Sequence, residues 1–329
     1  MVKIILLIIV VIFFAMNMGG SGIAPSFAAV YGAKLLSRGK IIFLFSVFVI
    51  AGAILLGSNV SLTLGKGLVP KEFMSLKVVF IILISASLSL FLANILKIPQ
   101  STSQVTVGAI VGAGLYFRHL YTKTLFLKIF SMWIILPFLS YIITLFLFRF
   151  VYPPREENLL TYEKMFIHEK KMRNLGLISS CYVALAIGAN NVANVVGPLA
   201  GAGIIGIKEG LLLLSPLFGI GSWFLGKGTT ETAGKEVVPL GIVSSTLVSF
   251  ITATLLIFAS VMGVPQSLVQ LNLCSIFAIN SIKNGYSSTI KHSMVRKTVF
   301  VWVITPLIAV FLAFFLLSLF MGGKVKWFV

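Results

Sequence analysis

Eight apolar runs, most of them close to the length of a bilayer crossing, dominate this chain, at about residues 3–18, 41–57, 78–96, 124–152, 174–188, 209–225, 239–262 and 297–322. A helix needs about 20 predominantly apolar residues to cross the hydrocarbon layer. With 58% hydrophobic and 10% charged residues and a mean hydropathy of +1.08, the chain carries more apolar surface than a water-soluble core could take up, so lipid is its solvent. Residues 41–56 are apolar on every side, whereas the strand of a membrane barrel alternates in polarity. Backbone groups in hydrocarbon must bond within their own segment, which leaves helices. The expected fold is an all-α polytopic membrane protein of about 10–12 transmembrane segments, including broken helices and two half-helix hairpins.

The first run carries Lys3, as a secretory signal would, yet a glycine-rich stretch follows it directly, so it is read as a retained span. A net charge of +18 would suggest nucleic acid in a soluble protein. Here the Lys and Arg side chains fall in short loops, where topology and lipid headgroups account for them and nucleic acid is not expected. Cys181 and Cys274 lack a metal or redox spacing and read as packing residues. The extended hydrophilic stretch 153–174 divides the chain into a first transmembrane half, 1–152, and a second, 175–329. Arg149, Arg155, Lys164, Lys170, Lys171 and Arg173 favour the cytoplasmic side for this linker.

The two halves repeat one another. Thr63-Leu-Gly-Lys-Gly-Leu-Val-Pro70 matches Thr232-Ala-Gly-Lys-Glu-Val-Val-Pro239 at five of eight positions, 169 residues apart. Ile98-Pro-Gln-Ser-Thr-Ser-Gln104 matches Val264-Pro-Gln-Ser-Leu-Val-Gln270 at an offset of 166, and Gly19-Gly-Ser-Gly-Ile-Ala-Pro25 matches Gly188-Ala-Asn-Asn-Val-Ala-Asn194 at 169. Repeated apolar segments interrupted by Gly and Pro in corresponding positions point to a midplane transporter site, with the repeats expected to be inverted.

Each X-Pro-Gln-Ser block is expected to open a half-helix, because Pro suits a first turn and turns the preceding residue out of the α region. A helix N-terminus inside the membrane presents unpaired N–H groups and about half a positive charge, which suits an anion. Ser101, Thr102, Ser103 and Ser267 add hydroxyls, and Gln104 and Gln270 lie on the same faces. Gly20, Ser21, Gly22, Asn190, Asn191 and Asn194 complete the substrate-binding candidates as small or neutral polar groups at matching depth. Lys66 and Lys235, paired by the repeat, read as interfacial snorkelling residues. No metal site is expected, and with His119, His168 and His292 scattered near loops and no phosphate-binding loop, neither an enzyme nor ATP use is expected.

These residues resemble the inorganic phosphate transporter (PiT) family, in which each half carries a G-A-N-D-x-A-N-like signature and a P-x-S-T-T-H-like hairpin. The resemblance covers essentially the whole chain and implies an inverted-repeat secondary transporter working as a homodimer. The Asp of the signature is replaced by Gly22 and Asn191, its His by Gln104 and Gln270, and the second hairpin's Thr pair by Leu268 and Val269; the chain contains no aspartate. Ala15-Met-Asn-Met-Gly-Gly-Ser-Gly22 and Pro99-Gln-Ser-Thr-Ser-Gln104 look most like the family's bacterial sulfate permease branch.

Chemistry points the same way. Sulfate at neutral pH needs only donors, whereas hydrogen phosphate also wants an acceptor such as a carboxylate. Moving a dianion inward against 100 mV costs about 4.6 kcal/mol, so accumulation needs a coupled cation. The expectation is sulfate import across the plasma membrane by symport with H+, Na+ being disfavoured by the missing aspartates. Glu231, Glu236 and Glu72 are the candidate proton carriers. A sodium- or proton-coupled phosphate transporter is the alternative, and a passive anion channel the alternative of another class.

Overall fold

The computed structural model describes residues 2–95, 100–153, 167–236, 241–291 and 293–322. Its elements are all helical. The first half contributes α1 (Val2–Gly32), α2 (Arg38–Leu56), α3 (Ser58–Lys66), α4 (Leu76–Ile95), α5 (Thr102–Phe117) and α6 (Ser131–Val151). The second contributes α7 (Glu169–Asn191), α8 (Ala193–Gly201), α9 (Ile207–Leu214), α10 (Pro216–Glu236), α11 (Ile242–Val261), α12 (Leu268–Asn284), α13 (Tyr286–Lys291) and α14 (Ser293–Met321). A π-helical turn, Thr124–Phe130, leads into α6.

Eight described helical stretches are long and apolar enough to span a membrane, and they follow the eight apolar runs. α5 and α12 are different, with 16 and 17 residues. At 1.5 Å per residue they reach only about 24–26 Å, short of the hydrocarbon thickness. Both open from a serine in extended conformation, with Pro265 two residues before the cap of α12 and not in the first turn that the motif suggested. Phe14, Phe27, Phe45 and Phe218 are fully buried in the centre, while Phe43, Leu55, Phe138, Phe146 and Phe311 face outward, where lipid covers them. Most of the polar linker at 153–174, together with Pro99 and Val237 to Pro239, lies outside the described residues; from Glu169 onward the linker is already helix α7.

α1 packs along α10, and α2 along α7. Glycines permit both crossings, since lipid tails supply no hydrophobic drive and close backbone contact must do the holding. A Cβ on Gly19 would lie 2.1 Å from the Phe218 carbonyl oxygen, and one on Gly221 2.0 Å from that of Met16. At the other crossing a Cβ on Gly52 would lie 1.9 Å from the Leu185 oxygen, and one on Gly188 2.0 Å from that of Val49.

This corrects one sequence expectation. The block at 19–25 does not break its helix; α1 runs through it with Pro25 inside. The glycines there serve the approach of α10 and not a turn of the chain. Its counterpart shows only a one-residue interruption at Val192, which keeps α-helical angles, so α7 and α8 run on as one stretch, Lys170–Gly201.

The short half-helices are held by the opposite half of the chain. α5 packs on α14 and α12 on α6. The first seam is smooth, with Gly108 and Gly112 set against the carbonyls of Pro306 and Val310. The second is hydroxyl-bonded: Ser140 Oγ donates to Leu271 O at 2.8 Å, and Ser140 and Thr144 meet Ser275 Oγ at 2.7 and 2.8 Å.

Candidate functional site

Two helix N-termini define the site. Ser101 caps α5, its hydroxyl accepting from Gln104 N–H at 3.2 Å, and Ser267 caps α12 by accepting from Gln270 N–H at the same distance. Such caps satisfy one of the four backbone donors that a helix start leaves free, and the remaining donors stay available to a ligand. Ser101, Thr102, Ser103, Gln104, Ser267 and Gln270 are all buried, so these polar groups sit away from bulk water.

The near-continuous α7–α8 helix brings the asparagines to these two starts. Asn190, fully buried, binds both hairpins at once. Its Oδ1 accepts from Gln266 N–H at 3.0 Å and from Ser103 Oγ at 3.5 Å, and its Nδ2 donates to Ser260 Oγ at 2.9 Å and to Val264 O at 3.0 Å. Ser103 Oγ also donates to Gln266 O at 3.1 Å. One turn on, Asn194 Nδ2 lies 3.3 Å from Ser103 Oγ and 3.4 Å from Thr102 Oγ1. The indole N–H of Trp133 holds the same loop from outside by donating to Pro265 O at 2.8 Å.

Around this cross-link several buried carboxamide atoms have no protein partner: Asn191 Oδ1, Asn194 Oδ1, Gln104 Oε1, Gln270 Oε1, and both ends of Gln100 and Gln266. A native interior rarely leaves such atoms bare, so each calls for an explanation such as a ligand, ion or water. A carboxamide can present either its oxygen or its NH2 by a half-turn, so the cluster can supply donors or acceptors. Pairing within the protein uses up Asn190, a clasp between the hairpins, and leaves Asn191, Asn194 and the glutamines for a guest.

Other candidates fall elsewhere. Gly20 faces α10, where a Cβ would meet Leu225 Cβ at 2.6 Å, and Gly22 faces Phe45 and Ile187 at 3.5 and 3.6 Å. Ser21 Oγ donates to Met18 O within its own helix. Gly20 and Gly22 thus lie against neighbouring helices, while the Ser21 hydroxyl is used within α1. Glu72 is exposed in a 3-10 turn between α3 and α4. The side chains of Glu231, Glu236 and Lys235 lie outside the described residues, and Lys66 is exposed at the end of α3.

Sequence reasoning missed Gln100, Gln266, Ser260 and Trp133. The glutamines were within reach, since Pro-Gln-Ser is common to both hairpin blocks.

The chain belongs to the phosphate transporter family, whose model matches residues 18–167 and again 153–313. It is accordingly a multi-pass membrane transporter of small inorganic anions and not an enzyme. Among the proteins it resembles is the sulfate permease CysP of Bacillus subtilis (strain 168), 37% identical over 94% of this chain and 86% of that one. A putative phosphate permease of Thermococcus kodakarensis is 25% identical over 96% of this chain and 98% of its own length. A solved structure described as the sodium-dependent phosphate transporter has the same fold, with a TM-score of 0.81 at 22% identity, covering 97% of this chain and all of that one.

Proposed function

We propose that this chain imports sulfate across the cell membrane by symport with protons. The observation that carries the reading is the pair of serine-capped half-helix N-termini meeting at Asn190, surrounded by buried carboxamide atoms without partners, in a chain with no aspartate. A tetrahedral dianion there would take N–H groups from both helix starts and from rotated carboxamides, while the helix dipoles offset its charge. The resemblance to a sulfate permease over most of both chains supports this choice of anion.

The proposed cycle rocks two inverted repeats around the anion. Adding 169 to Gly19 and Gly52 gives Gly188 and Gly221, and adding it to Met16 and Val49 gives Leu185 and Phe218, so the α1–α10 crossing and the α2–α7 crossing consist of equivalent residues. Adding 166 to Ser140 and Thr144 gives Pro306 and Val310, the contacts of α12 and α5 respectively. Each half therefore grips the other in the same way, which supports a pseudo-twofold arrangement. Glu72 is exposed in its 3-10 turn, which leaves Glu231 and Glu236 as the proton carriers to test first.

One observation favours phosphate as a second reading. The bare oxygens of Asn191, Asn194, Gln104 and Gln270 are acceptors, which the proton of hydrogen phosphate would satisfy. Labelled sulfate and phosphate uptake into proteoliposomes, under separate inward proton and sodium gradients, tests both. Proton-driven sulfate accumulation that phosphate does not block supports the proposal; sodium-driven phosphate uptake replaces it, and uptake only to electrochemical equilibrium makes the chain a channel.

A further inference from the structure

The π-helical turn ahead of α6 carries Lys128, five residues before Trp133. Thr124 opens a stretch long and apolar enough to span the membrane, and Lys128 stands four residues into it. Lysines so near a span end commonly snorkel outward. Lys128 turns inward: it is half-buried and donates to Thr63 Oγ1 at 3.4 Å. No carboxylate lies within ion-pair distance of it among the described residues. An ionisable side chain turned inward along a membrane span is by default a candidate for an ion path.

Its surroundings lead to the second hairpin. Thr63 donates on to Asn59 O at 3.2 Å, and Asn59 Nδ2 donates to Val261 O at 2.8 Å. Gly263, at φ +68°, lies against both residues, since a Cβ there would sit 2.9 Å from Asn59 O and 3.0 Å from Thr63 Oγ1. The positive charge is thus one hydroxyl away from the loop that ends at Ser267, the cap of α12. Trp133, on the same helix, binds that loop at Pro265.

We propose that Lys128 is a substrate-attracting residue, the fixed cation that draws the oxyanion to the N-terminus of α12; this rests on the anion-transport reading above. Charge-lined clefts raise local ligand concentration by one to three decades. Lys128→Gln, which keeps a hydrogen-bond donor and removes the charge, is expected to raise the KM for sulfate uptake by about tenfold or more and to flatten its dependence on ionic strength. Lys128→Arg should stay near wild type, and Thr63→Val, which removes the partner and keeps the cation, should leave KM within about twofold. In Lys128→Cys, 2-aminoethyl methanethiosulfonate should restore uptake by returning an ammonium, while the neutral methyl reagent should not; wild-type protein treated with each reagent is the control.

Lys128→Gln protein that elutes as a single species and keeps the wild-type KM overturns the inference and leaves sulfate transport standing. A loss in Thr63→Val equal to that in Lys128→Gln also overturns it, because the pair would then be a clamp between α3 and the π-helical turn. Wild-type protein that takes up neither sulfate nor phosphate sinks the underlying reading instead.

Discussion

Replacing Asn190 by alanine should disable transport more than any other single deletion in the site. The amide has no exposed surface, and four hydrogen bonds from it join α5, α11 and the second hairpin loop. Two of its partners have alternatives: Ser260 Oγ also donates to Leu256 O at 2.8 Å, and Ser103 Oγ to Gln266 O at 3.1 Å. The other two, Gln266 N–H and Val264 C=O, would lose the partner that fixes the loop. A stranded buried backbone group costs about 1–3 kcal/mol, so the pair costs about 2–6 kcal/mol. At 1.4 kcal/mol per decade this lowers the equilibrium constant for the ordered loop by roughly thirtyfold to twenty-thousandfold. Sulfate uptake into proteoliposomes at sub-saturating concentration should fall at least about thirtyfold, with a lower melting midpoint in detergent. Ser260→Ala is the companion measurement, and it should be mild because Nδ2 keeps Val264 O. Wild-type uptake in Asn190→Ala, or equal losses in the two variants, would refute the reasoning.

Asn191→Asp should weaken sulfate uptake by placing a carboxylate where a neutral amide lies buried without a partner for its oxygen, and undiminished uptake in correctly inserted protein would remove Asn191 from the site. Ser267→Ala should cost about 1 kcal/mol as a lost cap and lower uptake several-fold, measured beside Ser101→Ala, which caps the other half-helix identically. Gly112→Leu should destabilise the fold by about 1–3 kcal/mol or more, read as a fall in melting midpoint, since its Cβ would lie 2.3 Å from Val310 O and α5 and α14 would have to part.

Much of this was legible in the sequence, for identifiable reasons. A span in lipid is specified by its own composition, so the eight runs located the eight described stretches long and apolar enough to cross a membrane. The half-helices were legible because Pro turns the residue before it out of the α region, but that the serines rather than the prolines would begin them was not read. Glycine was ambiguous: lacking Cβ, it suits both a turn and a close crossing, and the block at 19–25 proved to be the latter. Asn190 and Asn194 stand four residues apart on one helical face, a spacing that foretells their shared contact with Ser103. The division of labour between a clasping Asn190 and a partly unpartnered Asn191 depends on residues such as Ser260 and Val264, some 70 positions away. No local pattern carries that information. The bond from Trp133 to Pro265, 132 residues apart, is hidden for the same reason.

The clasp also sets a schedule for synthesis. Ser103 finds Asn190 only 87 residues later in the chain and the Gln266 carbonyl 163 residues later. At about 5–20 residues per second, the first hairpin waits about 4–17 s for its asparagine and about 8–33 s for the opposite loop. During that interval the tip of α5, a buried polar N-terminus in the finished protein, has none of these partners in the nascent chain. The first hairpin is therefore expected to settle against its partners only after most of the second half has been made.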